Sequence, residues 1–173
     1  MPSYTTADIR NVLLVGHGGC GKTSLADALL FAAGAVTRKG SPADGSSFSD
    51  FEKEEKEHKH SIYSAVLHLD HKGKRINLID TPGSPDLIGL AIACLPAVET
   101  VAVVVNAQSG VEIVTRRLME AARDRNLPRA IIVNKCDVPE NKIEAIVDQI
   151  RETFGPECLL NNDGEADFDS VKR

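Results

Sequence analysis

Gly16–Thr23 reads GHGGCGKT, which fits G-x-x-x-x-G-K-[ST]. This pattern suits phosphate binding, because glycines let the backbone bend until successive N–H groups face phosphate oxygens. Gly16, His17, Gly18, Gly19, Cys20, Gly21, Lys22, Thr23 and Ser24 are the candidate phosphate-binding residues. The helix expected next offers its N-terminus to the anion. In this pattern Lys22 reaches the outer phosphates and the Thr23 hydroxyl binds Mg²⁺. A second group, DTPG at Asp80–Gly83, follows an apolar run. Asp80 there holds Mg²⁺ through water, and the Gly83 N–H meets the last phosphate. On its own Asp-x-Pro-Gly is equally an ordinary turn; its place downstream of a phosphate loop favours the site reading. A third group, NKCD, follows RAIIV. Asp137 can accept two hydrogen bonds from guanine N1–H and its 2-amino group. Adenine lacks that pair and would leave a buried acceptor unpaired. Lys135 can lie along the base, and Asn134 can tie this loop to the phosphate loop.

These groups need a scaffold. NVLLVG predicts a buried strand, and KTSLADALLFAAG an apolar-periodic helix capped by Gly34. Residues 35–60 carry little apolar periodicity and are expected to form a long mobile loop. SIYSAVLHLD and KRINLID flank HKGK as a hairpin, and PDLIGLAIACL is a short helix. TVAVVVNA and RAIIVN are further strands, and VEIVTRRLMEAARDRN and NKIEAIVDQIRETFG are amphipathic helices. The alternation predicts an α/β fold: a mainly parallel sheet with one antiparallel edge strand and helices on both faces. Ligands of such sheets bind at the carboxyl ends of the strands, where all three groups fall.

The chain has 173 residues, a 42% hydrophobic composition and a net charge of −5, enough for one domain with its own core. No basic stripe marks a nucleic-acid surface. Cys20, Cys94, Cys136 and Cys158 are far apart without CxxC spacing, as in reduced thiols of a cytoplasmic protein. The N-terminus MPSYTTADIRN lacks a signal-like apolar run, and no stretch is long enough to span a membrane. His58 and His60 sit in the mixed-charge run EKEEKEHKHS, read as a solvated loop rather than a metal site, and His68 and His71 flank the hairpin turn. Cys20 is either a reactive thiol near a helix N-terminus or simply a small residue that fits.

Over residues 8–155 the ordered motifs resemble the GTP-binding domain of translational GTPases, P-loop NTPases among which the elongation factor G family is closest. IRNVLLVGHGGCGKTSLADALLFAAG resembles that family's opening segment, and GSSFSDFEKEEKEHKHSIYSAV its first switch. DTPGSPDLIG, NAQSGVE and LPRAIIVNKCD continue the register. The resemblance implies GTP or GDP as the nucleotide, Mg²⁺ as the metal and the ribosome as partner of a cytoplasmic, monomeric factor. It also assigns Ser61 to the place of the Mg²⁺-binding switch threonine.

Departures are equally specific. Ser84 stands at the catalytic position where the family usually has histidine. Gly18 and His60 align with the two apolar residues that flank that histidine, and Gly19 aligns with an aspartate. This combination resembles the divergent second paralogue of the family in some bacteria. The family's Ser-Ala turn over the guanine and its last helix have no counterpart after Asp137, so residues 1–155 are expected to be a G-domain core. Residues 156–173 are then a truncated tail where the family's inserted subdomain begins. The resemblance implies GTP hydrolysis that is slow for want of the histidine. The alternative is a GTP-dependent ribosome-binding switch with negligible turnover; an ATP-binding P-loop enzyme is disfavoured by Asp137.

Overall fold

A computed structural model describes residues 4–137 and 140–159. The element order is β1 (Ile9–Val15), α1 (Lys22–Ala32), α2 (Lys53–His58), β2 (Ala65–His71), β3 (Lys74–Asp80), α3 (Ile88–Cys94), β4 (Thr100–Asn106), α4 (Ile113–Asp124), β5 (Arg129–Asn134) and α5 (Glu140–Phe154). The strands form one sheet in the order β2-β3-β1-β4-β5. Among the strand pairs of the described residues, β2–β3 alone is antiparallel, so the expected mainly parallel sheet with one antiparallel edge is present. The hairpin turns through Lys72 and Gly73, both at positive φ, a geometry whose twist matches that of the paired strands.

Period-two burial divides the sheet. Leu13, Val15, Ile79, Val101 and Val103 pack with Ala91 of α3, with Leu95 just beyond it, and with Val114, Leu118 and Ala122 of α4. Val105 continues this face against Ile146 and Ile150 of α5. Leu14 and Ala102 point to the other face, against Ala26 of α1, where Leu30, Leu69 and Leu78 extend the cluster. Burying each Leu, Ile or Val among them contributes about 1.5–3 kcal/mol, which fixes the sheet from which the loops project. Helix α1 ends as expected: Gly34, at φ +69, donates to the Phe31 carbonyl and Ala35 to the Leu30 carbonyl.

Residues 35–60 depart from the expected long loop. They contain the helix α2 and a single 3₁₀ turn at Pro42–Asp44. Buried polar groups and two isolated apolar residues fix them: Ser47, Ser49, Asp50 and Glu55 are all buried, and Val36 and Phe48 pack against the Leu30 cluster. Helix α2 lies inside the charge run read as solvated; its cap is a reciprocal Glu52–Glu55 pairing. Among the described residues no helix is long and apolar enough to cross a membrane. The expected tail lies, from residue 160 on, outside the described residues.

Candidate nucleotide site

Strand register assembles the site. Leu14 pairs with Asp80 in the parallel β1–β3 ladder, which sets the 16–23 loop beside the 80–83 loop. Ala65 pairs with Asp80 from the other side, so Ser61, four residues upstream of Ala65, is carried to the same strand end. The buried Thr81 hydroxyl donates to the Leu14 carbonyl at 2.7 Å and ties the two loops. On the far side Asn106 pairs with Asn134, which aligns the 134–137 loop with its neighbours.

Lys22 opens α1 and is only 5% exposed. Its Nζ donates to the Gly16 and His17 carbonyls, each at 3.0 Å. A buried ammonium held by neutral carbonyls keeps its charge available for an anion. Gly83 packs against it so closely that an added Cβ would collide with Lys22 Nζ and stand 2.7 Å from the Gly18 nitrogen. Only glycine lets the two loops meet this way. Gly21, at φ +95, plays the matching part toward the third loop, since a Cβ there would strike the Asn134 amide. That amide donates to the Cys20 carbonyl at 2.9 Å.

Oxygen atoms cluster beneath the phosphate loop. Thr23 donates its hydroxyl to Asp80 Oδ2 at 2.7 Å. Ser61 donates to Asp50 Oδ1 at 2.7 Å, and its Oγ lies 3.1 Å from Thr23 Oγ1. The two hydroxyls are thus within hydrogen-bond reach of each other as well as of a carboxylate each. Asp80 Oδ1 is buried with no hydrogen-bond partner. Burial pushes Asp80 up to about 6, against the opposing hydrogen bond from Thr23 and the positive charge of Lys22. Burial also raises Asp50, despite the Ser61 hydrogen bond. Hydroxyl and carboxylate oxygens around an orphaned buried acceptor are the hard donor set that Mg²⁺ takes, so these residues fit the cation.

The remaining candidates fall in different surroundings. Ser84 is half-buried and precedes the 3₁₀ turn Pro85–Leu87, and its hydroxyl makes no capping bond there. Gly18 and Gly19 are exposed. Ser24 is exposed on the first turn of α1. His60 is exposed, with its ring tilted 5.8 Å from that of His58. Cys20 is 1% exposed, and burial raises its thiol, which favours the packing reading over the reactive one. Lys135 and Asp137 are exposed, with Lys135 at φ +59.

Three residues were missed in the sequence. Glu112 sets its carboxylate 3.4 Å from His17 Nε2 across the phosphate loop. Asp27 of α1, wholly buried, accepts the Phe48 N–H at 3.0 Å and anchors the 35–60 segment. Glu55 lies buried beneath Ile62 and Tyr63. Burial presses its carboxyl upward, but N–H groups of Tyr63, Ile62, Glu52 and Phe51 outweigh that and hold it below the usual range. The three-residue spacing of Glu52-x-x-Glu55, a capping pattern, was the available signal.

Comparison with known proteins agrees with this geometry. The elongation factor Tu GTP binding domain profile matches residues 7–171. An elongation factor G-like protein of Mycobacterium tuberculosis is 35% identical over 151 residues, covering 87% of this chain and 21% of that protein. The mitochondrial ribosome-releasing factor 2 of Drosophila willistoni is 36% identical over 160 residues, covering 91% of this chain and 21% of that protein. A crystal structure of a Thermus thermophilus protein superposes with a TM-score of 0.82 at 37% identity, covering 87% of this chain and 23% of that one. The chain thus spans about a fifth of the length of the curated relatives it matches. It belongs to the elongation factor Tu GTP-binding domain family, as a guanine-nucleotide-binding translation-factor domain of the elongation factor G type.

Proposed function

We propose that this chain holds GTP or GDP together with Mg²⁺, and that the factor it belongs to acts on the ribosome in the cytoplasm and hydrolyses GTP slowly. The observation that carries the reading is the juxtaposition of the buried Lys22 ammonium with the Thr23–Asp80–Ser61 oxygen cluster and its orphaned Asp80 Oδ1. Lys22 neutralises the outer phosphates, with N–H groups of residues 16–24 and Gly83 beside it. Thr23 and Ser61 supply hydroxyl oxygens to the cation, and Asp80 holds its water. Bound Mg²⁺ supplies charge neutralisation between the outer phosphates. Asp137 accepts from the guanine edge, Lys135 covers the base, and Asn134 keeps that loop in register with the phosphate loop.

Slow hydrolysis follows from Ser84. An attacking water needs a group that orients it and stabilises the charge developing around it. A serine hydroxyl is short and neutral, and the exposed Gly18 and His60 supply no apolar wall around it. The ribosome enters through the names of the relatives, among them a ribosome-releasing factor.

Displacement of a fluorescent GDP by unlabelled GDP or ADP, in Mg²⁺ and in EDTA, tests the binding half of this reading. GDP is expected to displace the probe better than ADP, because Asp137 can pair with two guanine donors that adenine lacks. A GTP analogue is expected to need Mg²⁺ more than GDP does. Equal displacement by ADP and GDP would remove the guanine assignment.

A further inference from the structure

We infer that Glu55 is the positioning residue that sets Ser61 against Thr23 and Asp80. The inference rests on the reading of the cluster as a Mg²⁺ and nucleotide site. Glu55 is 0% exposed although it sits in a run of charged residues. Its Oε1 accepts the N–H groups of Ile62 at 2.9 Å and Tyr63 at 3.0 Å. Its Oε2 accepts the Glu52 N–H at 3.1 Å. One carboxylate therefore joins the start of α2 to the chain immediately after Ser61.

Ser61 has few other means of holding its place. It lies between Lys59, which turns the chain at φ +57, and β2, whose ladder begins at Ala65. Its own hydroxyl donates to Asp50 and lies 3.1 Å from the Thr23 hydroxyl. Phe51 and Tyr63, the aromatic residues on either side of this segment, are 55% and 53% exposed and add little packing. The hydrogen bonds from Ile62 and Tyr63 to Glu55 restrain the backbone just after Ser61, while Asp50 holds its hydroxyl directly. Hydrogen bonds to an ionised, buried carboxylate are stronger than neutral ones. Both Glu55 carboxylate oxygens are taken up by backbone N–H groups, so it acts through Ser61.

The test compares the full chain with its Glu55→Gln and Glu55→Ala variants. Without nucleotide, hydrogen exchange at the Ile62 and Tyr63 amides should quicken about tenfold or more in Glu55→Ala, as expected for loss of a charged acceptor. Exchange at Val103 and Val104 of β4 should be unchanged. Glu55→Gln keeps one acceptor oxygen but turns a donor toward Glu52 or Ile62, and should fall between wild type and alanine. With nucleotide, the ratio of affinities for a non-hydrolysable GTP analogue in Mg²⁺ and for GDP in EDTA should drop about tenfold in Glu55→Ala, with the GDP value within about twofold of wild type. Unchanged exchange at residues 62–63 would overturn the inference. So would equal loss of both affinities, or faster exchange throughout β4, since each marks a general loss of fold. If wild type bound no guanine nucleotide the functional reading would fall, while the exchange pattern would still decide whether Glu55 restrains the chain at Ser61.

Discussion

The Asn134 side-chain amide donates to the Cys20 carbonyl across 2.9 Å, joining a loop at one end of the sheet to the phosphate loop beside it. Gly21 leaves the space through which that amide passes. The contact makes the relative position of phosphate and base sites a property of the protein rather than of its ligand. Asn134→Ala should weaken GDP binding about tenfold, the usual effect of leaving a half-buried carbonyl without its donor. Calorimetry on the variant measures this directly, and the carbonyl left without its donor should also cost the fold about 1 kcal/mol.

Asp137→Asn should shift preference from guanine toward xanthine. Xanthine presents a carbonyl where guanine carries its amino group, so an amide donor pairs where a carboxylate could not. Competition between GDP and XDP reads the preference. Full retention of guanine preference would mean that another residue reads the base.

Asp80→Asn should stabilise the metal-free chain at neutral pH while removing its response to Mg²⁺. Asp80 is 1% exposed and its folded value, pushed up to about 6, lies above the ordinary 3.8. A carboxyl raised in this direction binds its proton more tightly in the folded state, so stability falls as pH climbs from about 4 to 6 and the deficit persists above that. The deficit is at most about 3 kcal/mol at neutral pH. In EDTA the wild type should therefore lose stability across this window, and the asparagine variant should lose less. Denaturant unfolding at pH 4 and pH 7 checks the difference; equal slopes in both proteins would contradict the account of Asp80.

Much of this site was legible because its residues act through backbone spacing. Glycines at 16, 21 and 83, Lys22 and the strands before each loop carry their own local signals, and the alternating burial of Leu13, Leu14 and Val15 is written as an apolar run. The segment before Ser61 was not legible, since its order comes from Asp27, Asp50 and Glu55 reaching backbone N–H and hydroxyl groups elsewhere in the chain. Hydrophobic periodicity is blind to such polar restraints, and a buried glutamate among exposed lysines and glutamates has the composition of a solvated surface. The same applies to Glu112, whose partner His17 is distant in sequence.

In the proposed function the nucleotide-binding chemistry is intact while Ser84 leaves hydrolysis without a water-placing group. Single-turnover GTP hydrolysis by the intact factor, with and without ribosomes, tests it most directly when wild type is compared with Ser84→Ala and Ser84→His. Loss of an orienting acid–base group commonly costs about 10²–10⁴ in rate, so wild type should turn over slowly and Ser84→Ala should match it. Ser84→His should recover only part of the deficit, because Gly18 and the exposed His60 give the imidazole no apolar support. If Ser84→Ala instead abolished a fast wild-type rate, Ser84 would itself be a working catalytic residue and the account would be contradicted.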